Sequence, residues 1–184
     1  MERTYIYLVF TKTNTWLSRI IGAVSQIEYP HASLSLDDSF TRMYSFGRVN
    51  PDNPFSGGFA EENLFEGVFQ KSSGCRCLIY RVPVNKAQYI AVQSNIHQFW
   101  KNKEEYGYNF IGLLGVWFNK PIKRKKHYFC SQFVSEILIR GQISEAKLVP
   151  ELTRTDDLLA LKSKELVYEG PVTQYNIIPQ QYVS

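Results

Sequence analysis

The sequence predicts an α+β domain with a largely antiparallel sheet packed against helices. Three observations carry this: strand-like and helix-like segments alternate irregularly, hairpin signals occur, and the chain is only 184 residues long.

Residues 4–11 are β-branched and aromatic and predict a buried strand. Asn14 or Thr15 can then cap a helix whose apolar stripe is Trp16, Leu17, Ile20, Ile21 and Val24. Tyr29-Pro30 ends it, because a residue before proline is pushed out of the α region. His31 to Leu36 alternates polar and apolar, Asp37-Asp38-Ser39 is turn-rich, and Thr41 to Phe46 alternates again, which predicts a β-hairpin with His31 at its open end. Asn50 to Gly58, rich in Pro, Gly and Asn, predicts a loop. Cys75 to Val82 predicts a strand closed by Pro83. Asn85 and Gln88 form a capping-box signal for a helix with the inner stripe Tyr89, Val92, Ile96, Phe99 and Trp100. Gly107 and a loop to Pro121 lead to a third helix, Cys130 to Arg140, ended by Gly141. A capped segment at Thr155-Asp-Asp-Leu and a strand near Leu166 to Tyr168 complete the order. No repeat or linker divides residues 1–184, so one domain is expected.

With 44% apolar and 15% aromatic residues the chain can fill a core, which excludes a disordered tail and a disulfide-stapled miniprotein. The longest apolar run, Ile111 to Phe118, is far shorter than the roughly 20 residues of a spanning helix. Met-Glu-Arg-Thr leading into Tyr5 to Phe10 does not read as a signal peptide, and an odd count of three cysteines fits free thiols in a reducing compartment. A cytoplasmic location is the expectation. Of the 21 Lys and Arg, five fall in Lys120 to His127, and the remainder balances to a net charge of −1. Basicity confined to one run excludes the spread of cations that nucleic-acid binding uses.

Cys75 and Cys77 lie two apart on a strand and face one side, as core residues do. Cys130 instead opens a helix, on the inward stripe with Phe133, Val134 and Ile137. Backbone N–H groups and the helix dipole at that position favour thiolate, and neither Tyr128 nor Phe129 can cap the helix and compete for those donors. The competing reading is a buried cysteine on an apolar helix face. His31, on a rigid strand end, is the best candidate base, set against a purely structural histidine. His97 and His127 read as surface residues. A base needs a group on its other ring nitrogen. A three-residue hairpin loop places Ser45 opposite His31, and a two-residue loop places Tyr44 there.

The His31 hairpin, the Tyr106-Gly-Tyr108-Asn109 segment and Tyr128-Phe-Cys130-Ser-Gln-Phe-Val134 on a helix resemble the circularly permuted NlpC-type, papain-like cysteine hydrolases. YiiX-like and lecithin:retinol acyltransferase-like enzymes belong to that group. The resemblance covers the layout of residues 4–160 and implies a permuted papain-like fold, with Cys130 as nucleophile and His31 as general base and then acid. It places the third polar residue at Ser45 or Tyr44, where comparable members carry a carboxylate or a second histidine that this hairpin does not supply. It also implies that Tyr108 lines the substrate cleft.

The leading expectation is therefore a cysteine hydrolase or acyltransferase, with no cofactor and no metal. It would act on an amide, ester or thioester of a small peptide or lipid-like acyl substrate, with Lys123 and Lys126 receiving an anionic substrate group. One alternative is a zinc-stabilised module using Cys75, Cys77, His127 and Cys130. Another is peripheral contact with anionic membrane through Lys123 to Lys126 and Trp117-Phe118.

Overall fold

The computed structural model describes residues 4–13, 27–48, 56–72, 74–143 and 147–175. In chain order its strands are β1 (Thr4–Lys12), β2 (His31–Ser35), β3 (Met43–Arg48), β4 (Gly57–Glu62), β5 (Arg76–Val84), β6 (Gly107–Tyr108), β7 (His127–Tyr128) and β8 (Glu165–Pro171). The helices are α1 (Gly67–Lys71), α2 (Lys86–Lys101), α3 (Phe110–Trp117), α4 (Cys130–Arg140), α5 (Thr155–Leu159) and α6 (Val172–Tyr175). Six strands form one antiparallel sheet in the order β4-β3-β2-β1-β5-β8, and β6 pairs with β7 in parallel. A mixed α+β architecture on an antiparallel sheet is therefore the fold class.

Strand alternation gives the sheet two apolar faces. Ile6, Leu8, Phe10, Leu34, Phe46 and Phe59 pack with Val92, Ile96 and Phe99 of α2 and with Phe133, Val134 and Ile137 of α4. On the other side Val9, Met43, Cys77 and Ile79 meet Phe40, Leu64, Phe69 and Val172. The paired stripes of α2 and α4 explain why both helices lie on one face. Gly141, which ends α4 as predicted, keeps a right-handed φ of −78°. Its role is spatial, since a Cβ there would come within 2.8 Å of Val92.

Several elements depart from expectation. The helix predicted from Asn14 or Thr15 lies outside the described residues. Trp100, assigned to the inner stripe of α2, is instead 47% exposed. Strand β5 runs through Pro83 to Val84, where its pairing with β8 has already ended at Arg81. The stretch before Pro121 contains α3, started by Asn109, whose side-chain oxygen accepts from the Gly112 N–H at 2.9 Å. Gly57 and Gly58, read as loop, begin β4.

The β2–β3 connection departs most consequentially. It is longer than either predicted turn because Phe40 is drawn completely into the second core, against Tyr7, and adopts a left-handed φ of 51° to get there. The observed register pairs Leu34 with Tyr44 and Ser35 with Met43. Continued along the ladder, it sets Ser45 opposite Ser33 and Gly47 opposite His31.

Candidate active site

His31 starts β2 immediately after the Tyr29-Pro30 break. Its Nε2 lies 3.0 Å and 3.1 Å from the two carboxylate oxygens of Glu62, the last residue of β4. Ser33, one strand repeat from His31 and fully buried, donates its hydroxyl to the Glu62 Oε2 at 2.6 Å. The carboxylate therefore has one oxygen fixed by a hydroxyl while it accepts from the imidazole. Gly47 lies against this pair: a Cβ there would sit 3.3 Å from Glu62 Oε1, a tight contact, and 3.6 Å from His31 Cε1, an ordinary one.

Cys130 is the first residue of α4, and Phe129 at the N-cap makes no side-chain capping bond. The thiol is buried, and Sγ donates to the Pro30 carbonyl at 3.8 Å. The Cys130 thiol and the His31 imidazole are close enough that each shifts the other's pKa. Burial by itself favours the neutral thiol, but the His31 hydrogen bond, its charge and the backbone N–H groups of Ala32 and Ser131 outweigh it and lower the thiol pKa. Burial likewise disfavours the His31 imidazolium, yet the Glu62 charge and the imidazolium's hydrogen bonds to Cys130 and Glu62 raise its pKa well above the ordinary histidine value. Each group thus favours the charged form of the other. Burial pushes the remaining thiols the opposite way, Cys75 up to about 11 and Cys77 up to about 12.

Tyr108 is buried, and both burial and the adjacent Cys130 raise its phenol well above the usual range. It lines a narrow cleft beside Cys130, together with Pro30 and with Leu113, Val116 and Trp117 of α3. The predicted orienting residues sit elsewhere: Ser45 donates to the Ala32 carbonyl at 2.7 Å, and Tyr44 stacks on Phe59. The observed β2–β3 register lies two residues from the one that would set Ser45 opposite His31 and three from the one that would set Tyr44 there, which accounts for both displacements. Lys123 reaches Glu151 at 3.6 Å, Lys126 is ion-paired with Glu105, and neither lines the cleft. The cation that does line it is Arg154, whose Nη2 donates to the Val116 carbonyl at 3.2 Å.

Cys75 and Cys77 lie in the second core, whereas Cys130 lies at the start of α4 over the first. The four proposed zinc ligands therefore do not meet, and among the described residues no cluster of three or more His, Cys, Asp or Glu side chains could hold a metal ion. Glu62 was missed by sequence reasoning because Gly57-Gly58 disguised its strand. The signal that could have found it is the pair of acids ending the short Phe59-Ala60-Glu61-Glu62 segment, together with the His31-x-Ser33 spacing on one strand face. Compared with known proteins, the chain matches no family model, no curated protein and no solved structure.

Proposed function

We propose that the chain is a cysteine-dependent hydrolase or acyltransferase of the permuted NlpC-type papain-like class, with Cys130 as nucleophile, His31 as base and acid, and Glu62 orienting His31. The observation that carries this reading is the coupled Cys130–His31–Glu62 arrangement, in which one thiol of three is lowered while the other two are raised. The chain order His31, Glu62, Cys130 and a cysteine-headed helix over an antiparallel sheet support the permuted assignment. A carboxylate in the third position also fits that class better than a hydroxyl does.

In the reaction the Cys130 thiolate attacks a carbonyl carbon; a C–S bond forms and the carbonyl π pair moves to oxygen. The N–H of Cys130, at a helical position with no intrahelical acceptor, faces the developing oxyanion. As the tetrahedral adduct collapses, the bond to the amine, alcohol or thiol leaving group breaks and His31 supplies its proton. Water or a second acceptor, deprotonated by His31, then attacks the acyl-enzyme. The C–S bond breaks, and thiolate and imidazolium are restored. Glu62 holds the ring and its positive charge throughout. The apolar side of the cleft, Leu113, Val116 and Trp117, suits an apolar acyl or side-chain group next to the scissile carbonyl.

The test is a screen of activated esters, thioesters and peptide amides, with mass analysis of the quenched enzyme. The expected result is hydrolysis or transfer that Cys130→Ala and His31→Ala abolish, with acyl mass on the Cys130 peptide. Turnover unchanged in Cys130→Ala would overturn the proposal.

A further inference from the structure

Among the described residues, exposed apolar side chains are concentrated around α3. Of nine exposed large apolar side chains among the described residues, five are Phe110, Ile111, Leu114, Phe118 and Val149. Ile111, Leu114 and Phe118 are 52%, 48% and 74% exposed, at the spacing of one face of α3 and its C-cap. Val149 precedes the 3-10 turn Pro150–Leu152, which packs against α3. The opposite side of α3 presents Leu113, Val116 and Trp117 to the Cys130 cleft. One short helix therefore has both a cleft side and an exposed apolar side that no described residue covers. Directly after it comes Lys120 to Lys126, in which Lys120, Arg124 and Lys125 form no ion pair with any described residue.

We infer that the outer side of α3 and the basic loop behind it dock onto an anionic phospholipid bilayer, setting the Cys130 cleft at the membrane surface. Charge selects this occupant. Apolar residues edged by uncompensated cations match an interface where acyl chains lie beneath anionic headgroups. A second copy of the chain fits poorly, because a two-fold contact through this patch would bring Lys120, Arg124 and Lys125 against themselves. Trp117, which sequence alone grouped with the contact surface, belongs to the cleft wall, while Ile111 and Leu114 take the outward positions. Docking does not depend on the proposed chemistry, so the two can fail separately.

The experiment is vesicle co-sedimentation of the full chain and of Cys130→Ala, with phosphatidylcholine vesicles and with phosphatidylcholine–phosphatidylglycerol vesicles. Both proteins are expected to bind the anionic vesicles at least about ten-fold more tightly than the neutral ones, and added salt should weaken binding. Leu114→Glu with Phe118→Glu, and separately Lys120→Glu with Lys125→Glu, should each reduce binding about ten-fold or more. Ile90→Glu, at an equally exposed apolar position on α2, should leave it unchanged. Failure to bind anionic vesicles, equal binding to neutral ones, or indifference to both double substitutions in folded protein overturns the proposal. So does a dimer in sedimentation velocity that Leu114→Glu dissociates without any accompanying vesicle binding.

Discussion

Glu62→Gln keeps the size of the side chain and its contact with His31 but removes the charge that holds the imidazolium against burial. His31 then releases its proton more readily, and a neutral imidazole stabilises the Cys130 thiolate less. The pH profile of Cys130 alkylation is expected to move to higher pH, and kcat/KM to fall by on the order of 10²–10⁴-fold. An unchanged profile would remove Glu62 from the machinery. In the wild-type protein the sign of the pH dependence that the proposed reaction would show is fixed by the two shifts. As pH falls through the lowered Cys130 pKa the nucleophile protonates, and as pH rises through the raised His31 pKa the acid is lost. Activity should follow a bell between those limits. Cys130 and His31 were legible because a helix start and a strand end give a side chain a chemical position that local sequence encodes. Glu62 was not, because its strand begins in glycines that read as loop, while burial of Phe40 in the second core sets a β2–β3 register that moves Ser45 and Tyr44 away from His31.

At the scale of elements, β4 reaches the site only because its first residues lack side chains. A Cβ on Gly57 would lie 2.5 Å from the Cβ of Tyr108 on β6, a backbone-proximal clash that no rotamer change relieves. Gly57→Ala is therefore expected to push β4 away from β6, lowering stability by about 1–3 kcal/mol. It should also weaken the Glu62 contact at the far end of the strand. Urea unfolding read beside the alkylation profile checks both consequences, and a variant as stable as wild type with an unmoved profile would contradict them. Helices α2 and α4 were legible, apart from the exposed Trp100 at the end of the α2 stripe, since a capping box and a 3.6-residue stripe are local properties. Asn85 and Gln88 form the predicted reciprocal cap at 2.9 Å in each direction. Strand β4 and helix α3 were not, because both begin in Gly- and Asn-containing sequence and owe their shape to partners distant in the chain. Asn109, which starts α3, also donates its side-chain N–H to the Ile122 carbonyl at 3.2 Å.

For the whole molecule, the sheet's two apolar faces make stability and site geometry one problem. Phe133 of α4 is fully buried and meets Phe46, Phe59 and Phe99, so it ties the helix carrying Cys130 to β3, β4 and α2. Phe133→Ala should cost about 3–5 kcal/mol in chemical denaturation. It should also slow acyl transfer out of proportion to the distance between the ring and the thiol. Among the described residues no helix is long and apolar enough to cross a membrane. The central claim is that one thiol is held as a reactive thiolate by His31, and competitive alkylation tests it most directly. Wild type and His31→Gln are treated with limiting iodoacetamide at pH 7, and label is quantified at Cys130, Cys75 and Cys77 by peptide mapping. Cys130 is predicted to react at least about ten-fold faster than either other cysteine, and to lose that advantage in His31→Gln. Equal reactivity of the three thiols, or a Cys130 rate indifferent to His31, would contradict the account.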